Sequence, residues 1–582
     1  LKSLIEFVRC VLNDLGTRCG TSTTRDYNTI ARRFEDEGVS FLTITLLNFG
    51  SDFQKSLEQE FIADDQFMGF ARTGGLPRFL GGFLQLIFDR KTGRLLDDPS
   101  IDAIFSVRQI TLMFGKIALP CASHRVDRAI AGYIQCEKEV RHHDLSFDSV
   151  RDDFIRVAML LWADVLSVMD LAVHDGRLTP RHGPGATADR LRGNSKYLSK
   201  VWTQRLERSF PLREFLFPND HPSYWEEMES IELLEPGSEM PVKVITVPKT
   251  LKTPRIIAME PTHMMYVQQA LLELIADEFP RNDFSREFIK FDDQTPNQEM
   301  AKRGSTDGSL ATLDLSEASD RVSNQHVRAL LSRFPNFHRA VDDCRSRKAD
   351  VPGYGVVRLA KFASMGSALC FPMEAMVFCT VVFLGIERTL NRRLTKSDIY
   401  RYFGRVRVFG DDIVVPKECV SSVVEALETF GFRVNRHKSF WNGQFRESCG
   451  KDYYAGSDVS VTRVRSTFPN SRKDASAVAS TVSLRNQLFL AGFDNSVTYL
   501  DDMLEGIIPF PHVEPTSPLL GRLSFGPLPS PITMDRNLHH PLVRGAYISS
   551  VPPASPLDGT GAMMKWFLKR GAMPFADKDH LM

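Results

Sequence analysis

Apolar residues recur three and four positions apart from Phe154 to Val173, which predicts an amphipathic helix, and a second helical stretch is predicted around Ala475 to Leu490. Leu4, Ile5, Phe7 and Val8 precede polar Asn13 and Asp14. That run is too short for a signal peptide and lacks a small-residue cleavage site, so it predicts an ordinary helix. Gly-rich breaks such as Gly74, Gly75, Gly81 and Gly82 punctuate the N-terminal region. From about 241 to 465 the pattern becomes short β-branched runs broken by Gly, Pro and Asp, alternating with helices, as in a compact α+β sheet domain. The longest apolar run, Phe362 to Ile386, is interrupted by Pro372 and Glu374. The remainder falls well short of the ~20 residues of a membrane span, so a buried helix is expected, and no membrane. Pro509, Pro511, Pro515, Pro518, Pro527, Pro529 and Pro531 mark a tail expected to wrap the surface with little regular structure.

At 582 residues the chain exceeds one typical core, which predicts several subdomains, and 43% hydrophobic residues suffice for burial. Lys plus Arg (72) equals Asp plus Glu (72), so no bulk charge announces a polyanionic partner, and any such partner must be held by local basic patches. Nine cysteines without a C-x-x-C pair argue against a disulfide framework or a zinc site and fit a reducing cytoplasm. The chain opens on Leu1 rather than Met, as a fragment or a chain lacking its first residues would.

Val406 to Phe409 and Ile413 to Val415 are strand-like runs flanking Gly410, Asp411 and Asp412, the pattern of a β-hairpin with two carboxylates at its tip. Alone, such a tip is equally a solvated turn, where Gly and Asp are favoured anyway. A second acidic site follows the strand-like Ala311 to Leu313: Asp314, then Asp320 before a helix near Asn324 to Leu331. In isolation Asp320 reads as a helix cap and Asp314 as a turn residue. Together, Asp314, Asp411 and Asp412 match what nucleotidyl transfer requires, a few carboxylates for two magnesium ions ~3.5 to 4 Å apart.

Residues 241–259 carry Lys243, Lys249, Lys252 and Arg255 without an acidic residue. This cationic strip is either a solvated basic loop or the lining of a triphosphate channel. Ser364, Met365, Gly366 and Ser367 open the long apolar run, where glycine would allow a close backbone approach. Lys438, in a second basic cluster from Arg433, is either a surface lysine or a general acid for leaving pyrophosphate.

In order and interval, KVITVPKTLKTPRIIAMEP (243–261), DDQTPNQ (292–298), LATLDLSEASDRVS (310–323), the Ser364–Gly366 loop with Phe371 and Glu374, VFGDDIVVP (408–416) and FRESCGKDYYAGSDV (445–459) resemble the RNA-directed RNA polymerases. The likeness is to the replicase subunit of the single-stranded RNA bacteriophages (leviviruses). It covers about 240–465, with a fainter match at HGPGATAD (182–189). The resemblance implies a right-hand α+β fold, with an antiparallel palm sheet flanked by helices. Its divisions would be an N-terminal region and fingers (1–240), fingers with a basic entry strip (241–304), palm (305–465), and small thumb with Pro-rich tail (466–582).

It further implies Asp314, Asp411 and Asp412 as ligands of two Mg2+ ions, with Mn2+ as a substitute, and Lys438 as acid. Lys243, Lys249 and Arg255 would meet the incoming ribonucleoside triphosphate, Asp320 its ribose, and Ser364 and Gly366 the template and sugar. Phe445 to Tyr454 would support the priming end. Phe409 stands where the family commonly has Tyr, and its ring is expected to pack without the hydroxyl. Glu374 stands where RNA polymerases often have a ribose-recognising Asn. Also implied are an RNA template and product, de novo initiation, host translation elongation factors and a ribosomal protein as partners, and the cytoplasm of a bacterial host. A reverse transcriptase would share the carboxylates but place a bulky aromatic where Ser319 stands. A degenerate, non-catalytic RNA-binding relative would not need the intact acidic set.

Overall fold

The computed structural model describes residues 2–218, 221–526, 533–539, 541–551 and 557–570. Pro527, Pro529 and Pro531 of the expected tail lie outside the described residues. Helices and short strands are mixed throughout. The periodic stretch at Phe154 to Val173 lies in the helix Arg151–His174, and Ala475–Leu490 is a helix with those bounds.

The central element is the helix Cys370–Leu390, buried on every side from Cys370 to Ile386 except at Phe371. Pro372 falls in its first turn, where a missing N–H costs nothing, so it starts the helix instead of breaking it. The helix is long and apolar enough by composition to cross a membrane, yet 89% of its most apolar 18-residue window is buried inside the protein. It packs closely on the helix Val420–Thr429, where a Cβ added to Gly385 would lie 2.5 Å from the Cα of Val423. Trp162 of Arg151–His174 meets it from another side and donates its indole N–H to Thr380 Oγ1 at 3.0 Å.

Above this helix lies a three-stranded antiparallel sheet in the order Arg407–Phe409, Asp412–Pro416, Leu310–Leu313. A second sheet, in the order Gly355–Arg358, Lys348–Val351, Val242–Val247, Arg255–Met259, carries the basic strip. The hairpin Phe445–Ser448/Lys451–Tyr454 stands beside the first sheet, reached through paired backbone bonds between Thr312 and Phe440.

Two large cores result. One joins 147–289 to 311–434. The other joins the first 117 residues to Phe440, Phe445 and Tyr454 and to the helix pair Ala475–Leu490 and Asp494–Glu505. Position 240 is therefore not where one core ends and the next begins. The tail also has more structure than its prolines suggest. Phe510 packs with Val478 and Leu504, and the helix Gly559–Lys569 inserts Met564 and Leu568 into the first core. Proline density predicts irregular backbone but not where intervening apolar residues dock.

Replacing Gly385 with Leu should overpack the crossing of Cys370–Leu390 and Val420–Thr429 and destabilise the fold by roughly 1–3 kcal/mol. Urea denaturation should show a lower midpoint; an unchanged midpoint would mean that the two helices can separate freely.

Candidate active site

In the first sheet Leu313 lies opposite Ile413. Asp314 therefore leaves one strand where Asp412 enters its neighbour, and the two backbones deliver their carboxylates to the same edge. Phe409 lies opposite Asp412, so Gly410 and Asp411 form a two-residue hairpin turn. Gly410 takes φ +61°, and a Cβ there would come within 2.6 Å of the Phe371 ring. The turn thus rests directly on the start of the central helix. Phe409 stacks edge-on against Phe371, with ring centroids 5.1 Å apart, a contact that uses the ring alone.

Asp314 accepts from Asn435 Nδ2 at 3.0 Å, and Lys438 Nζ lies 3.7 Å from its other oxygen. Its backbone N–H donates to Ser439 Oγ at 3.1 Å. Burial raises the Asp314 pKa and Asp411 adds to the rise, while Lys438, Asn435 and Lys249 oppose it. Burial, followed by the charge of Asp411, pushes Asp412 up to about 6. Asn297, fully buried, donates Nδ2 to the Asp412 carbonyl at 3.4 Å and so steadies the strand behind the turn. Desolvation works against the Lys438 ammonium, but Asp314, Glu447, Asp411 and Asp412 outweigh it and raise its pKa. Lys249 has its pKa lowered, first by desolvation and then by Arg255 and Lys438, although Asp411 and Asp314 pull the other way.

Asp314, Asp411, Asp412, Lys438, Lys249 and Arg255 thus act on one another electrostatically across one cleft. Among the described residues no group of three or more His, Cys, Asp or Glu is gathered tightly enough to cage a metal ion. The carboxylates share an edge and repel one another; they do not form a finished ligand shell. Lys243 sits at the far end of its strand, opposite Met259, roughly 20 Å of extended chain before Lys249. No ion pair or hydrogen bond ties it to the carboxylates among the described residues.

A second group lies behind the first. Asp320 Oδ1 accepts from Ser364 Oγ at 2.8 Å and from Lys361 Nζ at 3.1 Å. Lys361 is fully buried, with its ammonium 3.6 Å from the centroid of the Tyr133 ring. Burial alone would lower its pKa, but Asp320 and its neighbours reverse that, so it stays charged. The helix that follows is capped by Ser323, whose Oγ accepts from the Gln325 N–H, which leaves the Asp320 carboxylate free of that task. Gly366 takes φ +130°, and a Cβ there would meet the Ala258 carbonyl oxygen at 2.0 Å. Ala258 N–H donates to the Met365 carbonyl at 2.8 Å, which binds this loop to the basic strand Arg255–Met259. Glu374, buried beneath Gly410, has its pKa pushed up to about 8, chiefly by burial and then by Asp411 and Asp320 against a hydrogen bond from Ser319.

Residues 238–472 match the family model described as RNA replicase, beta-chain. Over that segment the chain is similar to the RNA replicase beta-chain family. The chain is 37% identical over 223 residues to the RNA-directed RNA polymerase subunit beta of Qbeta virus (strain MX1), covering 38% of this chain and 35% of the relative. It is 38% identical over 216 residues to the RNA-directed RNA polymerase beta chain of Enterobacteria phage fr (37% and 36% covered). To that of Escherichia phage MS2 it is 36% identical over 227 residues (39% and 38% covered). The match thus spans little more than a third of the length of these curated relatives. Among solved structures, an in situ BmCPV RNA-dependent RNA polymerase at elongation state aligns at TM-score 0.39 and 11% identity, over 61% of this chain and 33% of that one, too loosely to carry an argument.

The replicase segment contains every residue placed in the cleft above, and the paired cores bring in two more layers from outside it. Tyr133, from the helix Ser123–Asp144, reaches Ser364 through its hydroxyl at 3.1 Å. Arg108, from Ile101–Leu112, reaches Asp452 of the Phe445–Tyr454 hairpin at 2.6 Å. Sequence pattern gives no role to Lys361, Asn297 or Arg108. Their one visible signal is a charged or amide residue beside apolar neighbours, and their partners lie 41 to 344 positions away.

Gly366→Ala should force the loop off the Arg255–Met259 strand, because the new methyl meets backbone at a φ that side chains rarely adopt. A drop in thermal midpoint of several degrees is expected, with Asp320 and Ser364 displaced in a crystal structure; an unshifted midpoint would show the loop contact to be dispensable.

Proposed function

We propose that this chain is a template-directed RNA polymerase that copies RNA from ribonucleoside triphosphates and releases pyrophosphate. The observation that carries the proposal is the meeting of Asp314, Asp411 and Asp412 at one sheet edge, faced by Lys249 and Lys438, inside a replicase beta-chain segment. Those carboxylates fit magnesium: burial and mutual repulsion raise the pKa of Asp412 and Asp314, a surplus of negative charge suited to a hard cation that takes few carboxylates and keeps waters and phosphates. Asp314, Asp411 and Asp412 would hold two ions, Mg2+ or its substitute Mn2+. When bound, the ions activate the attacking 3′-hydroxyl and neutralise charge on the leaving pyrophosphate.

The protein's own groups supply the rest. Lys249 and Arg255 bind the triphosphate, with Lys243 further along the same strip, and Lys438 keeps a proton at Nζ ready for the leaving group. Ser364 and Lys361 both bond Oδ1 of Asp320, so Oδ2 is available to accept a ribose 2′-hydroxyl, the group that separates RNA from DNA. Ser364 and Gly366 form the loop against template and sugar. Ser319, small and polar, leaves room for that hydroxyl, which favours this reading over a reverse transcriptase. The same reading divides the chain into fingers, palm around 305–465 and a small thumb after 466. It brings with it de novo initiation, host translation elongation factors and a ribosomal protein as partners, and the cytoplasm of a bacterial host.

Purified chain given magnesium, an RNA template and ribonucleotides should make complementary RNA, and Asp411→Ala should abolish synthesis while RNA binding survives. Asp320→Ala should narrow the preference for ribo- over deoxyribonucleotides by tenfold or more, about 1.4 kcal/mol of lost discrimination. Preferential use of deoxyribonucleotides by the unaltered chain, or full synthesis by the Asp411 variant, would overturn the proposal.

A further inference from the structure

A groove of about 1100 Å3 lies in the N-terminal core, and none of its lining residues belongs to the carboxylate cleft. One wall is the helix Thr24–Glu37, whose Arg25, Asn28, Thr29 and Arg32 follow the i, i+3, i+4, i+7 spacing of a single helical face. Its other face is buried through Asp26 and Ile30, so the arginine face is fixed outward. The opposite wall, from Gly69 to Arg90, adds Arg78 and Arg90.

The charge of this groove is one-sided, in a chain whose formal net charge is zero. Five arginines line it: Arg25, Arg32, Arg33, Arg78 and Arg90. Arg33 is engaged by Glu37 at 2.6 Å. Arg78 gives its Nε–H only to Thr73 Oγ1. Among the described residues the guanidiniums of Arg25, Arg32, Arg78 and Arg90 have no carboxylate partner, and those of Arg25, Arg32 and Arg90 have no hydrogen-bond partner either. Asp26, the single carboxylate on the lining, is buried, and its Oδ1 accepts the Leu80 N–H at 2.7 Å. Four guanidiniums without a carboxylate, three of them without any hydrogen bond, are held by folded backbone around one groove, an arrangement that an anion relieves.

The occupant's class follows from size and lining. The volume exceeds the roughly 300–1,000 Å3 typical of small-molecule pockets, which favours a stretch of polymer over one small anion. Arg25 and Arg32 stand about 10 Å apart along their helix, far enough to engage different phosphates of one strand. Gly69 and Gly81 have nothing within 4 Å of where a Cβ would stand, which leaves room for a sugar–phosphate backbone, and Phe79, the aromatic on the lining, is buried, so no exposed ring there offers bases a stacking platform. We infer that this arginine groove is a second RNA-binding site, which grips the backbone of a single-stranded segment outside the carboxylate cleft without reading its sequence. The inference rests on the polymerase reading for the identity of the polyanion, while the charge and shape of the groove stand independently of it.

The test uses the full chain and the triple variant Arg25→Gln/Arg32→Gln/Arg90→Gln, with a fluorescent single-stranded RNA of about 40 nucleotides and a template of about 8 nucleotides that occupies the cleft alone. Affinity for the long RNA should fall about 10- to 100-fold near 100 mM salt, and the slope of log affinity against log salt should become shallower by about 2, as expected for three lost phosphate contacts at ~0.7 each. Synthesis on the short template should be unchanged, and the triple Lys variant should recover most of the long-RNA affinity. Unchanged affinity and slope in the Gln variant would overturn the inference, as would retained RNA binding accompanied by lost binding of a polyglutamate peptide, which would assign the groove to an acidic protein. If the unaltered chain makes no RNA on either template, the polymerase reading fails, while the long-RNA binding still decides the groove.

Discussion

Everything around the carboxylate cleft is organised to hold like charges together against their repulsion. Asp314, Asp411 and Asp412 would separate if their backbones were free, and burial makes that repulsion stronger. The opposing force is backbone register. Leu313 pairs with Ile413 and Phe409 with Asp412, and those bonds cannot slip by one residue without moving Ile413 and Val415 out of the large core and Val414 into their place. Gly410 then locks the tip onto Phe371, and Asn297 and Asn435 hold the flanking chain. The chemistry proposed for the cleft is a consequence of this enforced proximity.

Arginine does much of the internal fastening, which the zero net charge conceals. Arg446 is buried and gives its donors to the carbonyls of Leu310, Asn442, Gly443 and Phe445, tying the Phe445–Tyr454 hairpin to the strand Leu310–Leu313. Arg345 does the same for Leu359, Lys361 and Phe362, directly beneath the Asp320 group. Arg205 bridges Glu239 and the carbonyls of Asp342 and Arg345. A planar fork of five donors can satisfy several otherwise orphaned carbonyls at once, more than the three donors of a lysine allow. Other basic residues are held by carboxylates, as Lys361 is by Asp320 and Arg108 by Asp452, and a few face open grooves.

The sequence made local features legible. The hairpin at Gly410 could be read because β-branched runs flank a glycine, and a helix was legible around Ala475 to Leu490, whereas the helix Asp494–Glu505 that follows it was not. The meeting of Asp314 with that hairpin was legible only as a requirement of the chemistry, since nothing in the pattern near residue 314 states its register with residue 413. Lys361 was illegible because a lone lysine beside an apolar run looks like a surface residue, and its partner Asp320 lies 41 positions earlier. The shared core of the first 117 residues and the 475–505 helices was illegible for a related reason. Amphipathic periodicity says that a face is covered but not by what.

That shared core has a consequence in time. Asp14 accepts from the backbone and side chains of Asn495 and Ser496, 481 and 482 positions later, and Phe7 packs on Phe468 and Tyr499. At ribosomal speeds of about 5–20 residues per second, the first helix waits roughly half a minute to a minute and a half for its partner to be made. Through that interval the side of Phe7 that Phe468 and Tyr499 cover in the finished fold must be shielded by something other than those two rings. The whole carboxylate-bearing sheet emerges while the N-terminal core is still unfinished, so the helix pair Ala475–Leu490 and Asp494–Glu505 closes the body to which Phe7 and Asp14 belong.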